Sequence, residues 1–376
     1  MPCGIKSISK KTYYNSLKPF FVWSACFVIV IILGRYALNP DSVLSETKPS
    51  KEDSFAVSLI QPNLDPWKNG ISAYESNFRT LKLLSEEAIS DLKAQTLETT
   101  SSGANFEISP KNSLILWSET AFVPRIVWHY NKRLNFRSYS LVMELLSFID
   151  SQNSSFIIGN DHGVENSFGD SVEYNSALFF EPKNNVIPPQ PKIYSKIKLV
   201  PFTEYFPYKK QFPFIYKFLE DHDTHFWEPG KEIVLFDFAE KKVGSLICYE
   251  DAFSSSAANL VKAGCDVIVS ITNDSWAHSN ACQNQHLSMA VFRAVENRVP
   301  IFRAGISGVS CGIDVNGRLQ GVLKPFEKGF KTVWCKKTFD KPQTVFVGDG
   351  FLLFLLISFI ILIVVDKIGK IGRKWS

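Results

Sequence analysis

Short apolar runs that stop abruptly at polar residues constrain this chain more than any other feature. LILW (114–117) is four residues long, and DVIVSITND (266–274) holds its apolar positions in one brief run. Such runs are too short for buried helices and read as strands covered on both faces. SFAVSLIQPNL (54–64), SFIIGND (155–161), YNSALFFEP (174–182), PIFRAGISG (300–308) and CGIDVNGRL (311–319) read the same way, the last with an Asn-Gly turn at 316–317. IVLFDFAEKKVGSLICYE reads as a hairpin whose second strand ends at Cys248. Helical patterns lie between them. Residues 72–94 are amphipathic, and 134–151 place Leu141, Met143, Leu145, Leu146 and Phe148 at apolar positions. Residues 254–264 offer serines as N-caps and Gly264 as a stop. In 283–297, Leu287, Ala290, Val291, Ala294 and Val295 share a face. Strands interleaved with helices imply a layered α/β domain. A length of 376 residues, without internal repeats, suits one large domain or two small ones.

The two ends have a different character. PFFVWSACFVIVIILG (19–34) and FLLFLLISFIILIVV (351–365) carry no charge, and flanking residues extend each toward the length of a membrane span. A cleaved signal peptide is the alternative for the first, but no clear A-x-A site follows it. Lys6, Lys10, Lys11 and Lys18 precede the first stretch; Lys367, Lys370, Arg373 and Lys374 follow the second, against Asp366 alone. The positive-inside rule then puts both tails in the cytoplasm and the domain between them on the outer face. The expected division is a basic tail (1–18), a span (19–38), a polar linker (39–53), a catalytic domain (54–340), a second span (349–366) and a second basic tail (367–376). A net charge of +4 without a long basic run gives no footprint for nucleic acid. Of seven cysteines, five fall in the outer part, so at least one lacks an intrachain partner. No C-x-x-C pair occurs and the histidines are scattered, which argues against a structural zinc site.

Reactive residue types recur where apolar runs end. In SLICYEDAF (245–253), Cys248 is followed by Glu250 and Asp251. Nearby negative charge raises a thiol's pKa, so Cys248 is either an inert buried residue or is served by a cation from elsewhere. Glu119 follows LILW directly; a helix cap or surface carboxylate is the plain alternative. Lys196 and Lys198 lie in the otherwise apolar IYSKIKLVPF, where an exposed face is the plain alternative, and Glu204 follows in PFTEYFP. Together they supply the cation and the proton acceptor that Cys248 lacks.

LILWSETA, YSKIKLVPFTEYFP, SLICYEDAF and ITNDSW, in this order, resemble the nitrilase (carbon–nitrogen hydrolase) superfamily. Y-x-K-x-x-L-V-P-F-x-E-Y, I-C-Y-E and QHLSMAVFRAVENRVPIFRA resemble more closely the apolipoprotein N-acyltransferases of bacterial lipoprotein maturation. The resemblance covers most of 55–335. It implies a nitrilase-like α-β-β-α sandwich, here flanked by one N-terminal and one C-terminal transmembrane helix, in the bacterial inner membrane with the site on the periplasmic face. It implies Glu119 as general base, Lys196 as triad lysine and Cys248 as nucleophile. Glu204, Tyr249 and Glu250 become supporting residues, and Asn273 and Trp276 candidates for lining the substrate pocket. The implied reaction moves an acyl chain from a phospholipid to Cys248 as a thioester, then to the N-terminal amine of a diacylglyceryl lipoprotein, with no metal or organic cofactor. A membrane-tethered amidase, in which water replaces the amine, is the alternative; a non-catalytic membrane scaffold is a third. Phe-rich 201–220 reads as a lipid-facing lid or as ordinary loop packing. The chain departs from the family pattern at Ser118 (usually proline), Thr203 (usually glycine) and Ala277 (usually aromatic), and has room for one helix where the family carries several before the catalytic domain.

Overall fold

Two sheets pack face to face, each covered on its outer side by helices. The structure, a computed structural model, describes residues 42–48, 53–100, 109, 111–165, 171–221 and 226–337, together with scattered positions of 21–35 and residues 357, 360 and 364. The elements are β1 (Leu44–Ser45), β2 (Ser54–Gln61), α1 (Ile71–Thr100), β3 (Ser113–Leu116), α2 (Ile126–Lys132), α3 (Phe136–Asp150), β4 (Ser155–Glu165), β5 (Ser171–Phe180), β6 (Lys192–Ser195), α4 (Pro213–Asp221), β7 (Leu235–Phe238), β8 (Lys241–Ile247), α5 (Ser254–Lys262), β9 (Val267–Thr272), α6 (Asn280–Asn297), β10 (Ile301–Gly305), β11 (Ser310–Ile313), β12 (Leu319–Leu323) and β13 (Gly329–Lys336). One sheet has the order β1-β13-β2-β3-β4-β5-β6 and the other β12-β11-β10-β9-β8-β7.

Side-chain alternation builds the layers. In β3, Leu114 and Leu116 join Val243, Ile247, Val269 and Phe302 of the other sheet in a shared inner core. Ile115 and Trp117 point the opposite way, against Phe78 and Leu81 of α1 and Leu145 of α3. Ile268 of β9 likewise faces outward, with Leu260 of α5 and Ala290 of α6. Each fully buried large apolar side chain contributes roughly 1.5–3 kcal/mol. The buried Trp117 indole N–H keeps a partner, donating to Ser85 Oγ at 3.0 Å. The α-β-β-α expectation therefore holds for the described domain.

Several boundaries differ from expectation. Leu44–Ser45, inside the stretch read as linker, pairs antiparallel with Cys335 and Trp334, because Val43 and Leu44 bury their side chains in the inner core. α1 runs on to Thr100, beyond the 72–94 read as amphipathic. α2 was not expected; its turn is anchored by Asn160 Oδ1, which accepts from the Ile126 N–H at 3.1 Å. α5 is capped by Phe253 without a side-chain bond, so the serines are its first helical residues, not caps. Gly264 does stop it, at φ +95°. The apolar stretches 19–38 and 349–366 lie for the most part outside the described residues. Among the described residues no helix is long and apolar enough to cross a membrane. The first 42 residues form a unit separate from 43–376.

Candidate active site

β3 runs parallel to β4, and β6 parallel to β4 through the antiparallel β5; β8, β9 and β10 are parallel in the other sheet. The residues just past the ends of β3, β6, β8 and β9 are Glu119, Lys196, Cys248 and the Asn273–Asp274 pair. These strand ends meet across the sandwich at one rim. Glu119 makes the crossing itself, its Oε2 accepting from the Asn273 N–H at 2.9 Å.

Lys196 is fully buried, not on an exposed face. Its Nζ lies 3.2 Å from Glu119 Oε1 and 2.6 Å from Glu204 Oε1. Burial by itself lowers the pKa of Lys196, but the charges of Glu119, Cys248 and Glu204 outweigh it and raise it, so the ammonium persists. Burial raises the carboxyl of Glu204, and Lys196 only partly offsets this. Glu204 Oε2 also accepts the Val200 N–H at 3.0 Å, tying the carboxylate to the loop that carries it.

Cys248 is partly exposed and sits at φ +51°, just past the end of β8. A non-glycine residue in the left-handed region carries strain of about 1–3 kcal/mol, held by its surroundings. Burial pushes the thiol well above its ordinary pKa; Glu119, Asp274 and Asp251 add to the rise, and Lys196 opposes it. The lysine therefore acts in the expected direction without winning. No α-helix end sits at Cys248: a five-residue 3-10 turn, Cys248–Ala252, intervenes before α5.

The supporting candidates divide. Glu250 is buried and accepts from Tyr194 Oη at 2.9 Å, Ile197 N at 2.8 Å, Lys198 N at 3.1 Å and Ile247 N at 2.9 Å. It clamps the loop just after Lys196 to the turn that holds Cys248. Burial raises its pKa against those donors, and burial with the Glu250 charge pushes the Tyr194 phenol up. Tyr249 is exposed and packs edge-on against Phe253, ring centroids 5.0 Å apart. Asn273 serves Glu119 through its backbone, while its side chain accepts from Ser275 Oγ at 2.6 Å. Trp276 is exposed.

Other site residues were missed in the sequence. Asn175 Nδ2 donates to Glu119 Oε1 at 2.7 Å, and its carbonyl accepts the Lys196 N–H at 2.8 Å. Gly159 lets the Glu119 turn pack on β4: a Cβ there would stand 2.4 Å from Ser118 O and 2.6 Å from Glu119 Cα. Arg303, Asp251 and Asp274 are buried and form, with the partly exposed His286, a ring beside Cys248, with Arg303 Nη1 2.5 Å from Asp251 Oδ2 and Nη2 3.2 Å from Asp274 Oδ2. Arg293 Nη2 pairs with Glu296 Oε1 at 2.8 Å. A YNS strand and an NDSW turn are the only sequence signals for Asn175 and Asp274.

Cys248, Asp274 and His286 bring three donor atoms within 4.8 Å of one another. They do not fit a metal. Asp274 is already taken by His286 and Arg303, and both ring nitrogens of His286 already face acceptor oxygens. All five cysteines of the described domain are free thiols.

Chemically, the rim offers a thiol, a buried carboxylate and a buried ammonium, a set suited to acyl transfer through a covalent intermediate. The chain is 41% identical to apolipoprotein N-acyltransferase 1 of Treponema denticola over 372 residues, covering 94% of this chain and 64% of the relative. It is 45% identical to apolipoprotein N-acyltransferase 1 of Treponema pallidum over 277 residues, 73% of this chain and 48% of the relative. It thus spans about half to two thirds of their length. A solved amidase of the nitrilase superfamily from Nesterenkonia AN1 superposes with a TM-score of 0.49 at 15% identity, over 77% of this chain and 93% of that one. The carbon–nitrogen hydrolase family model matches residues 65–336, so the chain belongs to the carbon–nitrogen hydrolase family.

Proposed function

We propose that this chain is a membrane-anchored N-acyltransferase that carries an acyl group from a phospholipid to the N-terminal amine of a diacylglyceryl-cysteine lipoprotein. The observation that carries it is the buried Glu119–Lys196–Glu204 cluster at the rim where Cys248 is held in a left-handed turn. The names of the relatives supply the acceptor. The segment after Lys196 supports the donor: Phe202, Tyr208, Phe212, Phe214 and Phe218 are all exposed, beside lysines 209, 210 and 217. Aromatic rings with adjacent cations suit a lipid headgroup boundary. Spans at 19–38 and 349–366 would hold the domain on the outer face of the inner membrane. The described apolar positions there, such as Phe27, Ile31, Ile360 and Val364, are exposed.

In the first step Glu119 takes the thiol proton as Cys248 Sγ attacks the ester carbonyl carbon. Lys196 has three N–H groups and gives two to carboxylates, which leaves one for the developing oxyanion. The ester C–O bond breaks, the lysophospholipid oxygen takes the proton back from Glu119, and an acyl-thioester remains. In the second step the lipoprotein amine attacks the thioester, Glu119 accepts the ammonium proton, the new C–N bond forms, and the C–S bond breaks as Glu119 returns that proton to the sulfur, restoring the thiol and the carboxylate.

Incubating the purified protein with labelled phospholipid tests this. The Cys248 peptide gains acyl mass, Cys248→Ala abolishes the gain, and adding a diacylglyceryl lipopeptide moves the label to its amine. Release of free fatty acid with no acylated lipopeptide would instead mean that water is the acceptor.

A further inference from the structure

His286, on α6, lies apart from the Glu119–Lys196 pair and takes no part in either acyl-transfer step. Its ring is nevertheless committed on both sides. Nδ1 is 2.7 Å from Asp274 Oδ1. Nε2 is 2.9 Å from Asp251 Oδ1 and 3.3 Å from the carbonyl oxygen of Cys248. All three partners are acceptors. A neutral imidazole has one N–H and would turn a lone pair toward a carboxylate or carbonyl; only the imidazolium donates from both nitrogens.

The surroundings complete a charge ring. Asp251 comes from the turn after β8, Asp274 from the turn after β9, Arg303 from β10 and His286 from α6. Two acids and two cations sum to zero with His286 protonated and to a single negative charge without its proton. Ser270 Oγ donates to Asp251 Oδ2 at 3.3 Å, Gln283 Nε2 to the Asp274 carbonyl at 2.7 Å, and Arg293, also on α6, to the carbonyls of Asp251 and Ala252 at 3.3 and 3.2 Å. The Cys248 sulfur feels both acids of the ring.

We propose that His286, as an imidazolium, is a positioning residue for the nucleophile: it holds the left-handed backbone of Cys248 through its carbonyl and neutralises Asp251 and Asp274, so that a thiolate can form beside them. This rests on Cys248 being the nucleophile. It adds that the cation answering the acids next to the cysteine is double: Lys196 from one sheet serves the sulfur and Glu119, and His286 from a helix of the other layer serves Asp251 and Asp274.

The test is the pH profile of Cys248 alkylation by iodoacetamide, read by mass spectrometry of its peptide in the full chain. His286→Gln moves the half-point of the profile up by about one unit, a roughly tenfold slower rate at pH 7.5. Adding Asp274→Asn to His286→Gln removes one acid and returns the half-point toward wild type, although it deletes further hydrogen bonds. A half-point unmoved in His286→Gln, with only the melting temperature lowered, overturns the proposal. So does a double variant that stays at the single variant's half-point. Should the variants not fold, the unaltered protein still decides. In 15N-histidine spectra one of its six histidines stays doubly protonated past pH 8; if all six are neutral by pH 7.5, the proposal falls. Alkylation needs neither phospholipid nor acceptor, so its outcome is independent of whether acyl transfer is found.

Discussion

At the scale of single residues, the site joins a buried ammonium to two carboxylates, and the two halves need each other. Lys196→Met leaves Glu119 and Glu204 buried without their cation. Breaking a buried pair from one side costs about 3–5 kcal/mol. Protonating the orphaned carboxylates relieves the cost, so the melting temperature of Lys196→Met falls well below wild type at pH 8 and approaches it at pH 4–5. Rates of Cys248 acylation are expected to fall on the order of a hundredfold or more, since the same change removes the proposed oxyanion donor. Thermal melts across pH and single-turnover acylation check the two halves separately. A melting deficit of equal size at both pH values would mean that Lys196 matters through packing alone. The tolerance of Cys248 for its acidic neighbours has a related answer. Glu250 spends its charge on four donors from Tyr194, Ile197, Lys198 and Ile247, and Asp251 spends its own on His286 and Arg303.

At the scale of elements, the strand ends are what the site is made of, and their spacing depends on small residues behind them. Gly159 of β4 lies against the backbone of Ser118, Glu119 and Thr120, the last of which is itself at φ +48°. Gly159→Ala pushes that turn away from Asn175 and Asn273. Acylation is expected to drop at least tenfold, with a stability loss of about 1–3 kcal/mol from overpacking; denaturant melts and the acyl-trapping assay read both. Unchanged acylation would mean that the turn shifts freely. Much of this scale was legible in the chain. Apolar runs of four to seven residues placed β3, β4, β8 and β9, because strands buried on both faces leave little room for any other pattern. Leu44 was not legible, because one apolar pair in a polar stretch has no period; its burial follows from a partner strand nearly 300 positions away. That Glu119 and Lys196 come together, from strands three apart in one sheet, was implied by the family resemblance. The ring of Asp251, Asp274, His286 and Arg303 was not, because its members come from four different elements and nothing in the sequence pairs them.

At the scale of the whole molecule, the ring sets a pH window. The pKa of Asp274 is lowered from 3.8: burial alone would raise it, but His286 and Arg303 win. Its contribution to stability is present above about that value and is lost as pH falls through the lowered one. The pKa of His286 is raised from 6.5 to about 9, with the hydrogen bonds to Asp251 and Asp274 overcoming burial and Arg303. Its contribution, of roughly 3 kcal/mol, is complete below 6.5 and fades as pH climbs through 9. Denaturant melts are therefore expected to show a stability loss between pH 6.5 and 9 that His286→Gln lacks. A flat wild-type curve across that interval would contradict the ring's charge state. The fold also joins its two ends. β1 and β13 are antiparallel neighbours, with Leu44 opposite Cys335, and the Lys336 N–H reaches the Val43 carbonyl at 3.1 Å. Tension applied between residues 43 and 337 thus meets its first hydrogen bonds in zipper geometry, one pair at a time. Such a load peels away a two-residue strand before it reaches the rim where sulfur and ammonium sit, so the chemistry is mechanically insulated from residues 43 and 337.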